Sequence, residues 1–142
     1  MPGRTIHERH SELYLLDTNT LIYFFKGMGN VGKILLSKSP KEIAIPSVVL
    51  YELEVGIAKS NNPRKRKRQL DSLVLHTAVL PFTAKEAAVS AKIRAELENR
   101  GNSIGPLDNL IAGTALCANA VLVTHNTKEF GRIEGLKIED WF

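Results

Sequence analysis

"LYLLDTNTLIYFF", residues 13 to 25, sets a single carboxylate, Asp17, between two apolar runs. The first run, residues 13–16, ends in Asp17, Thr18 and Asn19, residue types that cap helices. The apolar pattern then resumes as Leu21, Ile22, Phe24 and Phe25. The stretch therefore reads as strand, turn, helix. Asp17 has two readings at this point: a cap for the helix, or a functional carboxylate at a strand end. The rest of the chain decides between them.

Working outward, the same alternation repeats. "NVGKILLSKS" has the look of a second short helix, and "EIAIP" that of a brief strand closed by Pro46. "SVVLYELEVGIAKS" has helical spacing, and so does the segment 63–75. "HTAVLPF" is a strand ended by Pro81. "TAKEAAVSAKIRAELENRG" is the longest helix signal, with Thr83 and Glu86 as a capping box and Gly101 as its stop. A helix opening at Pro106, the strand "VLVT" and a last strand in "LKIED" complete the order. Strands alternating with helices specify an α/β fold, a central, mainly parallel sheet flanked by helices.

The chain has 142 residues, 44% hydrophobic and 24% charged, which suits one domain with its own core. Residues 1–12 are polar and unpatterned, an N-terminal extension carrying His7 and His10; residues 13–142 form the domain. The apolar runs fall far short of the ~20 residues a membrane span needs, and no signal-peptide pattern follows the start, so a cytoplasmic protein without membrane contact is expected. Cys117 is the single cysteine, expected as a buried structural thiol, which leaves neither a disulfide nor a cysteine metal site. The net charge is +4, and five basic residues stand consecutively, Arg64, Lys65, Arg66, Lys67 and Arg68, in what reads as a loop and helix start. Such a run is either a solvated face or a phosphate-contacting patch for a nucleic acid.

The acidic residues carry more information. In a parallel sheet with right-handed crossovers, a residue just past a strand and one at a helix N-terminus lie at the same carboxyl edge. Asp17 follows the first strand, Glu52 sits one to two turns into the helix after the second, Asp108 lies in the first turn after Pro106, and Glu129 follows "VLVT". Each alone has an ordinary explanation: a cap, an exposed helix residue, a favourable charge at a helix N-terminus, a surface loop charge. Together they place four carboxylates at one edge. Carboxylates brought close repel, and a divalent cation removes that repulsion. Mg2+ prefers hard oxygen ligands, and a cation so held supports in-line hydrolysis of a phosphodiester. With a basic surface beside it, this reads as a nuclease.

"LLDTNTLI", "LYELEVG", "IGPLDNLIAG" and "LVTHNTKEF" resemble the motifs of PIN-domain ribonucleases. More narrowly, "IRAELENRGNSIGPLDNLIAG" and the ending "GLKIEDWF" look like the VapC branch that cleaves initiator tRNA in the anticodon loop. The resemblance runs from about residue 13 onward. It implies a metal-dependent endoribonuclease with a Mg2+ site that Mn2+ can also fill, a homodimer, tRNA as substrate, and a VapB antitoxin as the neutralising partner. By motif, Asp17, Glu52 and Asp108 are the core acidic residues. Many PIN domains have an aspartate at the position of Asn126, whereas the closer branch uses a glutamate three residues on, which makes Glu129 the fourth and gives Asn126 a supporting role beside Thr124 and Asn19. Arg64 to Arg68 and Arg94 are candidates for RNA phosphates.

Rival readings are weaker. Gly27, Gly29 and Gly32 have G-x-G-x-x-G spacing, but a dinucleotide site needs a strand before it and an acidic residue after the next strand, where this chain has Pro46 and Ser47. A phosphatase usually wants a second aspartate where Asn19 stands. A zinc hydrolase finds no ligand pattern, since His76 and His125 are far apart in sequence. His125, beside the site, is expected to be structural or solvated, with contact to substrate as the alternative reading, and Glu54, about 200° around the helix from Glu52, should face elsewhere. Leu21, Ile22 and Phe25 are core residues or contacts for a second copy or an antitoxin. The main alternative is a non-catalytic RNA-binding module.

Overall fold

Tyr14, Leu15 and Leu16 are all buried and form β1 (Tyr14–Leu16), the central strand of a five-stranded sheet. A strand covered on both faces must be apolar throughout, which explains a continuous apolar run instead of an alternating one. The computed structural model describes residues 12–142, so the expected N-terminal extension, His7 and His10 included, lies outside the described residues except for Glu12. β2 (Ile43–Pro46), β3 (Ala78–Leu80), β4 (Val121–Val123) and β5 (Lys137–Glu139) complete the sheet in the order β3-β2-β1-β4-β5. Every pairing is parallel, with Tyr14 opposite both Ile43 and Val121. Among the described residues seven α-helices connect the strands: α1 (Thr18–Lys26), α2 (Val31–Ser37), α3 (Ser47–Ala58), α4 (Pro63–Leu75), α5 (Ala84–Asn99), α6 (Pro106–Cys117) and α7 (Thr127–Phe130). None of the described helices is long and apolar enough to cross a membrane.

Local chemistry sets the helix ends. Asp17 caps α1 by accepting a hydrogen bond from the Thr20 amide at 2.9 Å. Asn62 caps α4 ahead of Pro63. Thr83 and Glu86 form the expected capping box on α5, and the hydrogen bonds from Thr83 hold the Glu86 carboxyl below its usual pKa. Gly101 follows α5 with φ +69°, a left-handed conformation that glycine adopts at little cost.

Some expectations need correction. The basic run lies wholly within α4 and not partly in a loop. Leu21 is fully buried in the core, whereas Ile22 and Phe25 are only half-buried. Cys117 is half-buried, with Sγ 3.7 Å from the Lys85 carbonyl oxygen. The glycine spacing, in contrast, is as expected no dinucleotide fingerprint: Gly27 terminates α1 and Gly32 lies inside α2, so it follows a helix where such a site requires a strand.

The closest helix packing is between α5 and α6, where Gly113 lies against Ser90. A Cβ on Gly113 would overlap Ser90 Oγ and stand 2.9 Å from Ser90 Cβ. The same contact brings Asn109 Nδ2 within 2.8 Å of the Ser90 carbonyl, fixing the first turn of α6 beside Asp108. Gly113→Ala is therefore expected to lower stability by about 1–3 kcal/mol through overpacking, as read by urea denaturation. Ser90→Ala, which removes a buried hydroxyl that lacks a hydrogen-bond partner, should be neutral or stabilising.

Candidate active site

From β1 the chain runs outward to β2 and β3 on one side, and from β4 to β5 on the other. The strand order thus reverses between β1 and β4, and the crevice beyond their carboxyl ends is where open α/β sheets bind ligands. Asp17 sits at this point. Its amide donates to the Val123 carbonyl at 3.1 Å, prolonging the β1–β4 ladder, and Thr20 Oγ1 donates to the same oxygen at 3.2 Å. The side chain is 5% exposed, and one oxygen is committed to the helix cap. Asp17 is therefore both a cap and a carboxylate at the crevice.

Glu52 projects from the second turn of α3 and Asp108 from the first turn of α6, and both are half-buried. Asp108 registers the whole group. Burial, then the negative charges of Asp17, Glu52 and Glu129, push its pKa up to about 6. The structure thus brings all four expected carboxylates into one electrostatic cluster. Glu54 faces away, as its helical angle requires, and pairs with Lys67 at 2.7 Å.

The supporting residues divide. Thr124 is fully buried; its Oγ1 accepts from the Asn126 amide at 2.9 Å and its amide donates to the Glu139 carbonyl at 2.9 Å, fixing the loop that leads into α7 and Glu129. Asn126 is half-buried at the start of α7, and Asn19 is exposed. The hydroxyl that supports the cluster most directly is one the sequence reading passed over: Thr18 Oγ1 donates to Glu52 Oε1 at 2.6 Å. Its position next to Asp17 was the available signal, but a threonine there reads equally as part of the cap.

Basic side chains flank the cluster. A groove of about 320 Å³ between α1, α3 and α4 runs from Glu52 past Ile22, Phe25 and Lys26 to Arg66, which is half-buried. Arg94, paired with Glu98 at 2.8 Å, borders a separate hollow that reaches Pro106 and Asn109 in the first turn of α6, the turn that carries Asp108. Arg64, Lys65 and Arg68 are exposed on α4. Lys67 is held between Glu54 and Asp71, and those hydrogen bonds raise its pKa.

The donor set is four hard carboxylates. Among the described residues no three acidic, histidine or cysteine side chains close a cage around an ion as they stand. An open set of this kind matches Mg2+, which keeps several waters and takes one or two carboxylates plus phosphate oxygens. The repulsion borne by Asp108 is what a divalent charge offsets.

Comparison with known proteins agrees with this geometry. The model of the PIN domain family matches residues 14–136. The tRNA(fMet)-specific endonuclease VapC of Shigella flexneri is 36% identical over 128 residues, 90% of this chain and 97% of the relative. Ribonuclease VapC2 of Rickettsia felis is 37% identical over 131 residues, 91% of this chain and 98% of the relative. Among solved structures, DNA-bound VapBC from Salmonella typhimurium superposes with a TM-score of 0.86 at 34% identity, over 92% of this chain and 99% of that one.

Two outcomes follow from the cluster. Thr18→Val keeps the shape and removes the hydrogen bond to Glu52, so Mn2+ affinity by calorimetry should fall about tenfold while the fold is unchanged. Asp108 has a raised folded-state pKa, so its favourable contribution is complete below the ordinary carboxylate pKa and is lost as the pH rises through about 6. Asp108→Asn should then stabilise the metal-free protein at neutral pH. Discounted for solvent screening of a half-buried group, the gain is about 1 kcal/mol, or about 3 °C in Tm. It should shrink as the pH is lowered below about 6, and added Mg2+ should stabilise the wild type but not the variant.

Proposed function

Because the chain belongs to the PIN domain family, and within it to the VapC ribonucleases, we propose that it is the toxin of a VapBC pair, a Mg2+-dependent endoribonuclease that cleaves initiator tRNA in the anticodon loop and so stops translation. The observation that carries the reading is the carboxylate cluster at the sheet's switch point, where burial and then the charges of Asp17, Glu52 and Glu129 raise Asp108. The named activity of the Shigella flexneri relative supports the substrate. The VapBC complex from Salmonella typhimurium supports a VapB antitoxin as partner. The proposal takes residues 13–142 as the domain, a homodimer as the assembly, and the cytoplasm, where tRNA is met, as the place of action.

In this reading Asp17, Glu52, Asp108 and Glu129 hold the cation, with Mn2+ able to replace Mg2+. The bound ion supplies Lewis-acid polarisation of the phosphate and a lowered pKa for the attacking water. Thr18 fixes the orientation of Glu52 through its 2.6 Å hydrogen bond. The Thr20 amide fixes one Asp17 oxygen and leaves the other free for the crevice. Thr124 and Asn126 shape the loop that carries Glu129, and Asn19 lies on the rim. Arg64, Lys65, Arg66, Lys67, Arg68 and Arg94 offer positive charge to the RNA backbone, with Arg66 sharing the groove that reaches Glu52. Such contacts position the strand without reading its sequence. Lys67 contributes least, being shared already by two carboxylates.

Asp17→Asn tests the assignment cleanly. Asparagine caps a helix as well as aspartate, so the fold should persist while the charge that binds the ion is lost. Purified protein incubated with initiator tRNA and Mg2+ should cut at one loop site; a chelator or Asp17→Asn should abolish the product. Metal-independent binding of intact RNA, with no cleavage under any divalent ion, would support the non-catalytic binding module instead. Replacing Arg64, Arg66 and Arg68 together by Gln should weaken tRNA binding and flatten its dependence on salt, by a slope of about 0.7–0.9 per lost phosphate contact, with Mn2+ affinity unaltered.

A further inference from the structure

Three aromatic rings from three distant parts of the chain meet, one of them carried by the loop that leads to Glu129. His125 and Phe142 stack with centroids 4.4 Å apart and planes 23° from parallel. Tyr23 meets both edge-on, at 4.9 Å from Phe142 and 5.9 Å from His125. The cluster is not buried: the His125 side chain is 46% exposed and Phe142 is 39% exposed.

An exposed pair of rings is held with unusual care. Asp140 spans both: one carboxylate oxygen accepts from the Phe142 amide at 2.9 Å, and the other lies 2.9 Å from His125 Nδ1. Burial alone would raise the Asp140 pKa, but these two partners more than offset it and hold the carboxyl below its usual range. The Phe142 carbonyl accepts from both the amide and Nδ2 of Asn30, at 2.7 and 3.2 Å. Gly29 permits this approach; its φ is +63°, and a Cβ there would stand 2.6 Å from the Phe142 carbonyl oxygen. Anchoring of the segment does not require the Phe142 ring, because Trp141 already does that work, 3% exposed and packed at 5.4 Å on Tyr14.

The location relates the rings to the cluster. His125 lies between Thr124 and Asn126 in the loop that leads to Glu129. Tyr23 is on α1, about 9 Å along the axis from the Asp17 cap. We propose that His125, Phe142 and Tyr23 form a stacking platform that seats the base of one unpaired nucleotide flanking the scissile phosphate. The proposal rests on the ribonuclease reading and deepens it: charge on α4 and α5 holds the backbone, and the platform holds a base. Ring faces accept any base, and they select unpaired nucleotides because a base within a duplex cannot be splayed onto them.

The test uses short single-stranded RNAs carrying 2-aminopurine at successive positions around the cleavage site, bound to Asp17→Asn protein so that they are not cut. Fluorescence quenching is expected at one position. Phe142→Leu should remove it and weaken binding about tenfold, Phe142→Trp should restore both, and Tm should be the same for all. In the cleaving protein Phe142→Leu should raise KM with little change in kcat. If Phe142→Leu does not fold, His125→Leu, which leaves the Phe142 backbone hydrogen bonds in place, takes its role. Equal quenching in the Leu variant and the parent at every position overturns the platform while leaving the nuclease standing, as does loss of binding by Leu and Trp variants alike with a fall in Tm. Absence of RNA binding and cleavage by the wild type overturns both.

Discussion

The parallel pairing of β1 on both of its edges is the constraint from which the site follows. A three-residue strand enclosed by β2 and β4 and covered on both faces has one way out, through its carboxyl end, and the residue that leaves it must satisfy a helix terminus and a sheet terminus at once. Asp17 meets both demands, with its amide in the ladder and its carboxylate on the first turn of α1. Because the neighbouring strands run the same way, the helices that follow β2 and precede β4 bring their own acidic residues to the same edge. The crowding at Asp108 is thus a product of topology.

That crowding is at odds with the chain's overall charge. A protein with net charge +4 brings four of its fifteen acidic residues into one crevice, while five consecutive basic residues stand on α4. In the proposed nuclease, a polyanion would be drawn to the rim and repelled by the floor until a cation neutralised it, so that substrate and metal would favour each other at the same place. Thr18 and Thr124 serve this arrangement without carrying charge, one by orienting Glu52 and the other by bracing the loop before Glu129.

Most of the fold could be read from the sequence because each element carries its own signals. The apolar run at 13–16, Pro63 after Asn62, and the Thr83 and Glu86 box all act within a few residues, and the structure keeps them. Asp17 and Asp108 were legible for the same reason, standing at a strand end and a helix start, and Glu52 and Glu129 follow within two turns of their strands. Contacts between distant residues were not. Nothing near Thr18 announces Glu52, and no periodicity links Tyr23, His125 and Phe142. Leu21 looked like its neighbours on α1, but which face of an apolar helix meets the core is settled by the sheet beneath it. The fit of Ser90 to Gly113 is likewise invisible until two helices are laid together.

The strand order also sets a timetable. Val123, which receives the Asp17 amide, and Glu139, which holds Thr124, are made long after Asp17. Contacts so far apart in sequence form slowly and only after a large loop has closed. On the ribosome, the crevice therefore stays unfinished until the segments that carry Val123 and Glu139 have been made and have docked on β1 and β4.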